Sequence, residues 1–102
     1  MSTPPQIGSR THTFGREQRV AVVRALAALP AVQQVGFLQF FGVQQFFVTL
    51  APHSPEGAAA VEAVIRGVTD TLHPEIATKV TWRVLAPGER LPSSAIDYTR
   101  PA

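Results

Sequence analysis

Side chains that could carry out metal, thiol or acid–base chemistry are few and far apart in this sequence. The three histidines, His12, His53 and His73, are widely separated, so the short-spaced ligand pairs typical of zinc sites are absent. The chain contains no Cys, which excludes disulfides, thiol catalysis and Cys-ligated metal centres. We therefore expect no metal and no cofactor.

Nucleophilic catalysis by serine has no support in the sequence either. A serine nucleophile needs a base that a third group orients, and no such set can be assigned around Ser54, Ser93 or Ser94. The glycine-rich motifs that bind phosphate groups, GxxxxGK[ST] and GxGxxG, do not occur. We expect no self-contained active site.

Composition indicates one small domain. The 102 residues are 45% hydrophobic and 16% charged, which is enough apolar surface for a single core. The net charge is only +2 and the basic residues are dispersed, so nucleic acid is an unfavoured partner. No apolar run is long enough to cross a membrane and no secretory signal pattern opens the chain, so we expect a cytoplasmic protein without a membrane partner.

The chain divides into three predicted parts. Residues 1–13, rich in Pro, Ser and Thr, are expected to form a flexible arm, and whether this arm adds a strand stays open. Residues 14–86 are predicted to form an α+β domain, and residues 87–102 a tail that packs on it.

Periodicity places the elements. Apolar residues at helical spacing predict a helix over residues 16–29, with Thr13 as its cap. Two β-prone runs, residues 32–41 and 44–50, flank Gly42-Val43, which suits a type II′ hairpin turn. The capping sequence Ser54-Pro55-Glu56 begins a second helix that extends to about Leu72, and residues 77–85 alternate as a third strand.

This order predicts a ferredoxin-like α-β-β-α-β sandwich, an antiparallel sheet with both helices on one face. The helices would cover the apolar face that carries Val35, Phe37, Phe46, Val48, Val80, Trp82 and Val84. The opposite face has no predicted cover, and its candidate interface residues are Leu38, Phe40, Phe47, Thr81 and Arg83. Three large apolar side chains together on an open face predict that the tail, a second chain or a ligand covers them.

Two segments carry a family resemblance. Residues 13–32 contain a Phe-bearing turn, a helix and a Pro-Ala-Val step, and residues 82–94 contain a strand, a Pro-Gly turn and a Leu-Pro step. Both patterns resemble the small C-terminal domain of adenylate-forming acyl- and aryl-CoA ligases, most of all the phenylacetate-CoA ligase type. The resemblance covers most of the chain and implies a similar fold.

The ligase-like tail departs from that family at its catalytic lysine. Where the family has Gly-Lys, this chain has Ile96 and Asp97, and a carboxylate would repel the phosphate charge that the lysine stabilises. The tail residues that the resemblance marks are Gly88, Arg90, Leu91, Pro92, Asp97 and Arg100.

The sequence thus predicts a non-catalytic association module, which acts as a homodimer through the open sheet face or docks on a larger acyl- or aryl-CoA ligase subunit. One alternative is a detached ligase domain that completes an adenylating site in trans, with Arg90 or Arg100 in place of the lysine. Another alternative is a regulatory domain that binds a small ligand.

Overall fold

The computed structural model describes residues 13–101, so residues 1–12 of the predicted arm lie outside the described residues. The described chain forms a mixed four-stranded sheet with helices on one side. Its elements, in order, are α1 (Arg16–Ala27), β1 (Val32–Phe40), β2 (Val43–Leu50), α2 (Pro55–Thr69), the short α3 (Pro74–Ala77), β3 (Val80–Val84), a 3-10 turn (Ser93–Ala95) and β4 (Ile96–Thr99).

Helix α1 begins at a different cap from the predicted Thr13. Gly15 is the cap residue, and its N–H donates to Gln18 Oε1 at 2.8 Å. The glutamine three positions into the helix thus satisfies an amide that would otherwise lack a partner, which is one half of a capping box. The helix then buries Val22 and Leu26 against the sheet.

The hairpin turn lies one residue earlier than predicted. Phe41 and Gly42 form the loop, and both have positive φ, 48° and 77°. Positive φ at both positions is the requirement of a type I′ turn, so the predicted type II′ turn at Gly42-Val43 is wrong. Phe40 pairs with Val43 as a result, which moves each cross-strand partner by two residues and leaves the strand side chains on their predicted faces. Phe41 is the exception, since the predicted register places it opposite Gln44 on the helix-covered face and it lies in the loop instead.

Helix α2 begins as predicted and ends early. Ser54 is the N-cap, its Oγ accepts the Gly57 N–H at 3.0 Å, and Pro55 occupies the first turn. The helix ends at Thr69, and α3, which was not predicted, follows with His73 as its cap. Strand β3 therefore begins at Val80 and not at Ala77, since Ala77 belongs to α3.

The sheet is not wholly antiparallel as predicted. Its strand order is β3-β2-β1-β4, with β1 antiparallel to both β2 and β4, while β2 and β3 are parallel. The pair is parallel because α2 and α3 return the chain to the starting end of β2 before β3 begins. The predicted α+β class, with both helices packed on one face of the sheet, is confirmed.

The core lies between this face and the helices. Phe37 and Phe46 are neighbours across the hairpin with ring centroids 5.0 Å apart, and Val61 and Ile65 of α2 are fully buried in the same cluster. Among residues 13–101, the helices are all too short or too polar to cross a lipid bilayer.

Replacing the α2 cap tests how this helix starts. Ser54→Ala removes the acceptor of the Gly57 N–H, so the free energy of unfolding should fall by about 1 kcal/mol. Urea denaturation measures the change, with Ser94→Ala at an exposed site as the matched control. Equal effects of the two substitutions would contradict the capping role.

Candidate functional site

The sheet face opposite the helices, here called the open face, carries no ionisable side chain along β1 and β2. Cross-strand pairing puts the following residues on it in register: Gln34, Gly36, Leu38 and Phe40 from β1, and Val43, Gln45, Phe47 and Thr49 from β2. Strand β3 adds Thr81 beside Gln45 and Arg83 beside Phe47. The predicted interface residues therefore do share one face.

The C-terminal tail covers one part of the open face. Leu91 is only 8% exposed, and both it and Ala95 lie directly over Gly36. A Cβ at Gly36 would come within 3.0 Å of Leu91 Cδ2 and 3.2 Å of the Ala95 carbonyl oxygen. Gly36 is thus a glycine because the tail approaches the backbone too closely for a side chain. This is the intramolecular cover that the sequence left as one alternative.

The tail does not reach the hairpin end of the open face. There Leu38 is 39% exposed, Phe40 45% and Phe41 fully exposed. We call these three residues the tip patch. The rings of Phe40 and Phe41 lie edge to face with centroids 6.4 Å apart. Phe47, opposite Gly36, is half-buried and so contributes less to the exposed surface than predicted.

The β-prone run in the sequence extends to Phe41, so the sequence does not predict that this residue lies exposed in the turn. Its position next to a glycine was the available signal, since a Phe-Gly pair can form a two-residue turn when both residues adopt positive φ.

Charge on the β3 side of the open face is neutralised locally. Arg83 Nη2 donates to Glu89 Oε2 at 2.7 Å, and Glu89 Oε1 accepts the Ala86 N–H at 2.7 Å. Gly88, with φ 88°, closes the turn that brings Glu89 back to the strand. Thr81 is half-buried and its hydroxyl lies 3.4 Å from the Gln44 carbonyl oxygen.

Asp97, which the ligase resemblance aligns with that family's lysine, forms a bidentate ion pair with Arg19 of α1. Arg19 Nε donates to Oδ2 at 2.6 Å and Nη2 donates to Oδ1. The hydrogen bond to Asp97 raises the pKa of Arg19 above its usual value. The Arg19 guanidinium also lies 4.4 Å from the centroid of the Phe37 ring. Asp97 thus ties β4 to α1.

Arg100 is held by backbone acceptors. Its guanidinium donates to the carbonyl oxygens of Ala27 and Val32 at 2.8 Å and of Leu29 at 2.7 Å. These bonds satisfy carbonyls at the end of α1 and in the turn that follows it. Because the Arg100 guanidinium already donates to three carbonyl oxygens, it is not available for the lysine's role in the detached-ligase alternative. Arg90, the other candidate for that role, is exposed.

A second feature lies on the helix-covered side of the sheet. A cleft of about 640 Å³ separates the first half of α1 from the hairpin end, and Phe14, Arg16, Val20, Arg24, Phe37 and Gln44 contribute to its lining. No pattern in the sequence indicates this cleft, because it depends on how α1 crosses the sheet.

Comparison with known proteins does not assign a family, since no family model, curated protein or solved structure matches the chain. The ligase resemblance therefore stays a prediction. Within residues 13–101, no three His, Asp or Glu side chains come together as metal ligands would.

A matched pair of leucine substitutions tests the tail contact. Leu91→Ala removes a buried side chain and should lower the free energy of unfolding by about 2 kcal/mol or more. Leu38→Ala, on the same face but exposed, should change it by less than about 0.5 kcal/mol when the protein is dilute enough to be monomeric. Chemical denaturation compares the two variants, and similar losses would mean that the tail is not packed at Gly36.

Proposed function

We propose that this chain is an association module that pairs with a second copy of itself through the tip patch and the adjoining open face. The observation that carries the proposal is the cluster of Leu38, Phe40 and Phe41 left exposed where the tail ends its cover. Contiguous large apolar side chains of this kind mark interaction surfaces in folded proteins.

The electrostatics of the open face favour an identical partner over a charged one. The side chains of β1 and β2 on this face are uncharged, and Arg83 is already paired with Glu89. Two copies could therefore approach without like-charge repulsion, and the part of the face formed by described residues offers no unpaired cation for a phosphate backbone or an acidic protein.

A two-fold axis would bring two copies of the same patch together. In a symmetric dimer each residue contributes twice, so two copies would bury two sets of Leu38, Phe40 and Phe41 against each other. A few well-packed residues at the centre of a contact supply most of its binding energy. The half-buried Phe47 and the polar Gln45 and Thr81 would then lie nearer the rim.

Introducing a charge into the tip patch tests the proposal. Phe40→Glu should weaken self-association at least about a hundredfold. Each of the two protomers would lose the apolar burial of Phe40 and would bury a carboxylate in its place. Sedimentation velocity over a concentration series measures the dissociation constant.

Ala63→Glu is the matched control, since it adds the same charge at an exposed position of α2 and should leave the dimer unchanged. A parent chain that stays monomeric at millimolar concentration would refute self-association. Association only in the presence of a larger acyl- or aryl-CoA ligase subunit would refute the homodimer and support docking instead.

A further inference from the structure

The cleft on the helix side of the sheet has the size of a small-molecule site. Its volume of about 640 Å³ lies within the range of natural ligand pockets, about 300 to 1,000 Å³. It lies beside the cross-strand pair Gln39 and Gln44, next to the hairpin loop, but on the face opposite the tip patch. The two surfaces are therefore separate, and neither proposal depends on the other.

The apolar wall of the cleft is aromatic. Phe14 and Phe37 stack with ring centroids 6.3 Å apart and an interplanar angle of 17°. Val20 and Val23 of α1 add aliphatic surface to the lining. Phe37 is only 8% exposed and the Arg19 guanidinium lies over its ring, so Phe14 is the ring available to a ligand. A flat aromatic ring can pack against Phe14 in the offset or edge contacts that ring pairs favour.

The charged wall of the cleft is cationic. Arg16 and Arg24 lie on one stripe of α1 with Val20 between them, and both line the cleft. Within residues 13–101, neither guanidinium has a hydrogen bond or an ion pair. Arg19 is neutralised by Asp97, so the two unpaired arginines leave the lining with a net positive charge. Such guanidinium groups bind carboxylates in charge-assisted hydrogen bonds.

Gln44 gives the cleft an unsatisfied buried polar group. The residue is 6% exposed, and its Oε1 is the buried side-chain oxygen that lacks a hydrogen-bond partner among the described residues. Among residues 13–101, its Nε2 makes a single long contact, of 3.4 Å, to the Gly42 carbonyl oxygen. The last torsion of a glutamine side chain is soft, so the amide can turn its oxygen toward a donor in the cleft.

We propose that this cleft binds a small aromatic carboxylate that carries a hydrogen-bond donor. The carboxylate pairs with Arg16 and Arg24, the ring packs on Phe14 and Val20, and the donor satisfies Gln44 Oε1. Each part of the ligand thus matches one group in the lining: the unpaired arginines, the aromatic ring or the unsatisfied amide oxygen.

The test is an NMR titration of the full isotope-labelled chain with para-hydroxybenzoate. Benzoate, which lacks the donor, para-hydroxybenzamide, which lacks the charge, and inorganic phosphate, which lacks the ring, are the comparison probes. Para-hydroxybenzoate should shift the Gln44 side-chain amide signal and should bind at least about tenfold more tightly than the benzamide. The Gln44→Met variant should lose the preference for para-hydroxybenzoate over benzoate.

Charge variants complete the experiment. Arg16→Gln combined with Arg24→Gln should weaken binding at least about tenfold, while Arg90→Gln, at an exposed arginine outside the cleft, should leave it unchanged. Circular dichroism confirms that each variant folds. Equal binding of the benzamide, equal binding of phosphate, or no shift at Gln44 would each overturn the proposal.

Discussion

The structure depends on a single layer of helices covering a single sheet. The sheet has two faces, and α1 and α2 pack on the same one. Burial of Phe37, Phe46 and Val48 against Ile65 forms the core, and the opposite face is left to whatever else the chain supplies. A sheet with an uncovered apolar face is unfavourable in water. The C-terminal tail is the only remaining described segment that could cover it, and its Leu91 and Ala95 lie over Gly36 while the hairpin end stays exposed.

The tail also fixes the edge of the sheet. Strand β4 pairs with β1, Asp97 forms an ion pair with Arg19 of α1, and Arg100 binds three carbonyl oxygens at and beyond the end of that helix. Leu91 packs meanwhile over Gly36 on the open face. The C-terminal tail thus contacts α1 on one side of the sheet and Gly36 on the other. Of the residues that the ligase resemblance marks, Leu91, Asp97 and Arg100 take part in these contacts, whereas Arg90 is exposed.

The hairpin end of the sheet presents two different surfaces because side chains alternate along a strand. Leu38 and Phe40 point to the open face, where the cover is incomplete, whereas Gln39 and Gln44 line the cleft under α1. The first surface is apolar and uncharged and suits another protein. The second combines an aromatic wall with unpaired arginines and suits a small anion.

Local patterns determined a great deal by themselves. Helical and alternating periodicities predicted both long helices, three strands and the two faces of the hairpin, and the Ser54 cap followed from the adjacent Pro55. These features depend on neighbours a few residues apart. Only the tertiary structure decided the parallel pairing of β3, the addition of β4, the ion pair of Asp97 with Arg19 and the cleft beside Gln44. Each of these joins residues distant in sequence, and their contacts depend on how whole elements cross and pack, a property that no local spacing encodes.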